Sequence, residues 1–196
     1  MKDAPAALAL LVGIQAALWT QAVSLDDALA EMEVSLDLPQ NIEMLPVEYQ
    51  GEVEYQLAFR IIGAGYVVRI GLVPESALVR YSGGGDVDRY VPLFSMGVLA
   101  AMAKDSLYFS KTAELPGPTV SREFGADSGM TALVRGNKSG FGKGFAYIAV
   151  AFLYKVGKGV VVVSFLYNDA KDLKTDSLDF SQAYYCFRFR ESSPKQ

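Results

Sequence analysis

The residues best placed for chemistry are Ser82-Gly83-Gly84-Gly85, followed by Asp86 and Asp88. A glycine-rich turn running into a helix exposes backbone N–H groups at the positive end of the helix dipole, where an anion can bind. Asp86 and Asp88 bring negative charge to the same place and serve as caps for those donors. Ser82, Gly83, Gly84, Gly85, Asp86 and Asp88 are therefore the candidate ligand-binding residues, with a plain structural turn as the alternative. No catalytic and no metal-binding residue is assigned.

What the sequence lacks narrows the chemistry further. It contains no histidine, which removes Ser-His-Asp and Cys-His hydrolysis and histidine-ligated zinc or haem. The only cysteine, Cys186, stands in an aromatic stretch and reads as a small buried hydrophobe. A Ser-x-x-Lys pair occurs at Ser192 and Lys195, in a tail that offers a nucleophile no support. The stretch 135–144 (RGNKSGFGKG) looks like a phosphate loop. However, Gly144 follows Lys143 where a Ser or Thr is needed, and Asn137 occupies the place of the first glycine. Asn168, Asp169, Asp172, Asp176 and Asp179 offer oxygen ligands, but Lys171 and Leu178 interrupt any EF-hand spacing. Residues 125–129 (GADSG) suit a ligand contact or a turn into the next strand. Glu52 and Glu54 share the polar face of a strand. No cofactor is expected.

The elements that must position these residues follow from periodicity. Ser24 caps a short helix with Asp26 and Asp27 in its first turn and Leu25, Leu29 and Met32 on one face. Residues 53–61 alternate apolar and polar, a half-buried strand, and 66–73 form its hairpin partner after the turn at 63–65. Residues 77–81 read as a short strand. Val91, Phe94, Val98 and Met102 define the buried face of a helix over 88–103, with Pro92 in its first turn. Residues 105–129 read as loop-rich with a short strand at 107–110, and 130–134 as a strand. Residues 145–154 and 160–167, joined by 156–159, form a hairpin whose arms are apolar at nearly every position. Such strands lie mid-sheet, covered on both faces. A helix at 172–181 and a strand at 183–190 end the chain. The expected fold is α+β: a largely antiparallel central sheet covered by helices on both faces, a three-layer α/β/α sandwich.

This element order, with the apolar hairpin at 145–167, resembles the Mog1/PsbP-like sandwich over roughly residues 53–189. That resemblance implies an exported protein with a binding or assembly role rather than catalysis.

Residues 1–22 read as a cleavable signal peptide: Lys2, an apolar run over 4–19, then Thr20 and Ala22 as small residues before the cut. Cleavage after Ser24 also fits, and an uncleaved anchor or a buried helix are the alternatives. The mature domain is then 23–196, with no later integral membrane segment. Its net charge stays at −4, because Lys2 and Asp3 leave together. A scattered-charge acidic surface argues against a nucleic-acid partner. One cysteine means no internal disulfide, so the hydrophobic half of the chain (51% of residues) must form the core. These features fit an extracytoplasmic setting, a bacterial periplasm or cell surface. They point to a non-catalytic binding or assembly protein with an unknown protein or small-molecule partner. The alternative is a histidine-free hydrolase using paired carboxylates. A membrane β-barrel is disfavoured by the helix at 88–103 and by strands without a polar lumen face.

Overall fold

The computed structural model describes residues 23–48, 53–103, 111–136, 140–168 and 181–190. The leader at 1–22, the strand expected at 107–110, Glu52, Asp169 to Asp179 and the Ser192–Lys195 pair lie outside them.

Helix α1 (Leu25–Glu31) starts as the sequence indicates. The Ser24 hydroxyl accepts from the Asp27 N–H at 3.2 Å, and both aspartates stand in the first turn. Strands β1 (Val34–Leu36) and β2 (Ile42–Met44) follow, then β3 (Leu57–Ile61) and β4 (Tyr66–Pro74). The β3–β4 hairpin is shorter on its first arm than the alternation from 53 suggests. Gln56 explains why: its side-chain amide accepts from the Leu72 N–H at 2.7 Å and donates to the Leu72 carbonyl at 3.3 Å. The side chain stands in for the peptide that would have extended the ladder.

Pro74 closes β4, and residues 77–81 are not a strand. They belong to helix α2 (Glu75–Tyr81), in which Ala77 and Leu78 are buried while Val79 and Arg80 are exposed. Two adjacent buried residues followed by two exposed ones fit a helix and contradict a period of two. Helix α3 (Val87–Met102) matches expectation in its span and in burying Phe94, Val98 and Met102, but it starts early enough that Pro92 is its sixth residue, inside the helix and past the first turn. The region read as loop carries strand β5 (Lys111–Glu114) and helix α4 (Gly117–Phe124). Only Val120 and Phe124 of α4 are buried, one turn apart. Gly125 terminates it in the left-handed region at φ 63°.

Strands β6 (Ser128–Arg135), β7 (Tyr147–Lys155) and β8 (Gly159–Tyr167) complete the main sheet. After them, Ser181–Tyr184 forms a helical turn, α5, and only Phe187–Phe189 is strand β9. The seven strands of the main sheet run in the order β2-β3-β4-β8-β7-β6-β5, antiparallel throughout. Strands β1 and β9 pair separately.

The hairpin β7–β8 lies in the interior of the sheet, and all nine residues of β8 are buried. Two apolar clusters divide its side chains by alternation. Val160, Val162 and Leu166 join one cluster with Leu78 of α2 and Phe94, Val98 and Leu99 of α3. Val161, Val163, Phe165 and Tyr167 join the other with Ala28 of α1, Met32, Val120 and Phe124 of α4, and Phe189. Among the described residues, no helix is long and apolar enough to cross a membrane.

Candidate functional site

The glycine turn connects α2 to α3. The Gly84 N–H donates to the Val79 carbonyl at 2.9 Å, Gly83 to Arg80 at 3.3 Å and Gly85 to Ser82 at 3.3 Å. Gly83 and Gly84 sit at φ 66° and 81°, conformations that require glycine. The Ser82 hydroxyl donates to the Val79 carbonyl at 3.0 Å. The donors that would cradle an anion thus close the end of α2. Asp86 caps α3, accepting from the Asp88 N–H at 3.1 Å, and pairs with exposed Arg89 at 3.4 Å.

Asp88 behaves differently from the rest of the turn. Its Oδ1 accepts from the Tyr154 hydroxyl at 2.6 Å. Tyr154, 7% exposed, is near the end of β7 and lines a cleft of about 330 Å³ between α3 and the β5–β6 edge of the sheet. The inner wall of that cleft is Phe152, Ser95 and Tyr154, all buried, with Met130 and Val91 half-buried beside them. Its rim carries two exposed carboxylates, Glu114 and Asp127. Of the 125–129 segment, Asp127, Ser128 and Gly129 reach the cleft. Gly129 packs closely: a Cβ there would lie 2.8 Å from Leu153 Cδ2, and that side chain would have to shift to admit it.

Two segments singled out in the sequence therefore meet at Tyr154, a residue nothing in the sequence marked. Its signal was faint: a polar-tipped aromatic at the end of an otherwise apolar strand. Burial, then the hydrogen bond to Asp88 and the nearby Asp88, Glu75 and Asp127 carboxylates, push the Tyr154 phenol well above its ordinary range. Its proton stays on and is committed to Asp88. Asp127 is fixed on both sides, its N–H donating to the Tyr154 carbonyl and its Oδ2 accepting from the Val156 N–H, each at 2.8 Å.

Other flagged residues are structural. Glu54 is pushed upward by burial but does not line the cleft. Asn168 Oδ1 accepts from the Ala146 N–H at 2.9 Å. Cys186 is 1% exposed, and burial lifts its thiol to about 12. A further open trough of about 660 Å³ is lined by Arg135, Phe145, Tyr147 and Asn168 among others. Arg69 on β4, also unmarked in the sequence, is held 4.9 Å from the ring centroids of both Tyr55 and Phe141 and donates to the Phe141 carbonyl. It pins the 3₁₀ turn at Gly140–Gly142 to the sheet. Among the described residues, no group of three His, Cys, Asp or Glu side chains is arranged to hold a metal ion.

Comparison with protein-family models, curated proteins and solved structures found no match to this chain.

Proposed function

We propose that this chain is an exported, non-catalytic binding or assembly-type protein that takes its ligand in the cleft between α3 and the β5–β6 edge. The observation that carries the reading is the cleft itself: a concave space with an apolar inner wall at Phe152 and polar groups at its rim. That is the usual anatomy of a small-ligand site. The interior β7–β8 hairpin supplies a rigid wall, and the two apolar clusters support a three-layer arrangement with α2 and α3 over one face and α1 and α4 over the other. Export to a bacterial periplasm or cell surface rests on the leader-like residues 1–22 and the disulfide-free core. N-terminal sequencing of the secreted chain tests that part: cleavage after Ala22 or Ser24 is expected.

The binding reading is tested by a thermal-shift screen of residues 23–196 against a small-molecule library, repeated with Ser128→Trp. The exposed rim position lets the indole cover the mouth without entering the core. Hits that stabilise the parent and fail on the variant are expected; hits indifferent to the substitution overturn the site.

The alternative, a histidine-free carboxylate-dependent hydrolase, draws on one observation: Glu114 and Asp127 line the same cleft. Turnover on a glycoside panel that vanishes in both Asp127→Asn and Glu114→Gln would favour it over the binding role.

A further inference from the structure

We propose that the ligand of this cleft carries a cationic nitrogen, an ammonium or guanidinium, on an apolar stem. The inference rests on the cleft being the binding site and adds the chemical class. Its ground is that the Tyr154 oxygen and the two rim carboxylates can only accept hydrogen bonds, while the other polar side chains of the lining, the Ser95 and Ser128 hydroxyls, can turn to either role. Tyr154 has committed its one proton to Asp88, so toward the cleft its oxygen offers only lone pairs. Asp127 spends Oδ2 on the Val156 N–H and keeps Oδ1 free to accept. Glu114 adds a second rim carboxylate, and among the described residues that line the cleft there is no lysine or arginine.

Charge and shape then agree. The carboxylates stand at the exposed rim, while Phe152, Met130, Leu115 and Val91 make the walls below. An anion would face two carboxylates with no cationic side chain among those lining residues to offset them. A neutral apolar molecule would fill the interior and leave the rim unused. A short alkyl chain with a cationic head satisfies both zones, its stem on Phe152 and Met130 and its head between Asp127 and Glu114. The volume of about 330 Å³ suits such a small body. This chemistry has two natural sources, a free alkyl amine or a lysine side chain of a partner protein.

The test is a titration of isotope-labelled residues 23–196 with hexylammonium, 1-hexanol, hexanoate, and an acetylated extended peptide with a central lysine, read by amide chemical shifts. Shifts at Gly129, Met130 and Phe152 with hexylammonium or the peptide are expected, weakening as salt is added. Tighter binding of the peptide assigns a protein partner, and tighter binding of the amine a small molecule. Asp127→Asn keeps an acceptor for the Val156 N–H and should lower affinity by about fivefold, the scale of one exposed charge pair. Equal binding of hexanol or hexanoate at the same residues overturns the cationic class and leaves the cleft as a binding site. No shift at those residues with any probe overturns both.

Discussion

The Tyr154 hydroxyl and Asp88 Oδ1 meet at 2.6 Å across 66 residues of sequence, fastening the first turn of α3 to the end of β7. The bond fixes two parts of the cleft lining relative to each other, because α3 contributes Val91, Pro92 and Ser95 and β7 contributes Phe152 and Tyr154. Tyr154→Phe should retain the ring packing and lose only the hydroxyl. Because Asp88 is solvent-exposed and can rehydrate, the expected cost is about 1 kcal/mol, measured as a lower urea midpoint. Ligand-induced shifts at Val91 and Ser95 should broaden in the variant as α3 loses its tether.

The same hydroxyl makes stability fall at alkaline pH. Tyr154 is raised by burial first and by Asp88 second, and Tyr167 is raised to about 12, chiefly by burial. The folded chain therefore holds protons that the unfolded chain releases near an ordinary tyrosine value of about 10. The contribution is complete below that pH and is lost as pH rises through the folded-state values. Urea midpoints measured upward from pH 8 should start to fall near pH 9, where the unfolded Cys186 thiol ionises, and fall further above about pH 10, less steeply in Tyr154→Phe. An equal slope in the two proteins would place the effect elsewhere.

Two-sided burial of β8 has its own signature. Val162 and Val163 are neighbours in sequence, yet they belong to different apolar clusters. Replacing either by alanine leaves a cavity, and each should cost about 2 kcal/mol. A strand with one wet face would show one costly substitution and one silent one. Paired urea melts of Val162→Ala and Val163→Ala decide the point.

The strongly patterned elements were legible in the sequence for the reason these two valines illustrate. A run such as 160–167, apolar at nearly every position, can be satisfied only where both faces are dry. The helix at α3 was equally plain, its buried residues spaced for one face and its start marked by Asp86 and Asp88. Short elements were not. Helix α4 buries just Val120 and Phe124, too few positions to establish a period, and its proline and glycines resemble loop chemistry. In α2, β-branched Val79 and aromatic Tyr81 carry strand propensity, and packing of Leu78 beneath α3 overrides it. The cleft was half legible. Asp88 and Asp127–Gly129 stood out by type, but their meeting point, Tyr154, is set by strand register, which no local pattern encodes.

Cys186 offers a chemical check on the second apolar cluster. Its thiol is 1% exposed and burial raises it to about 12, so thiolate is scarce in the folded state. An aromatic disulfide reagent at pH 8 should react with it only after urea unfolds the chain. Prompt reaction of the native protein would mean that the packing of β9 against α4 opens readily.

Two glycines of the β7–β8 turn separate backbone strain from steric exclusion. Gly157 has φ 73° with nothing within 4 Å of the place a Cβ would take, so Gly157→Ala meets only the left-handed penalty, about 1 kcal/mol. Gly159 has φ 126°, and a Cβ there would stand 2.2 Å from the Val73 carbonyl oxygen and 2.9 Å from the Glu75 N–H nitrogen. That contact is backbone on backbone, at the point where β8 pairs with Pro74 and the Glu75 N–H donates to the Lys158 carbonyl at 3.0 Å. Neither partner can move without unzipping the end of β4 and shifting α2. Gly159→Ala should therefore cost more than about 3 kcal/mol, by strain and lost pairing together. Urea melts of the two variants side by side test it: similar midpoints would mean that β4 and β8 do not approach so closely at Gly159.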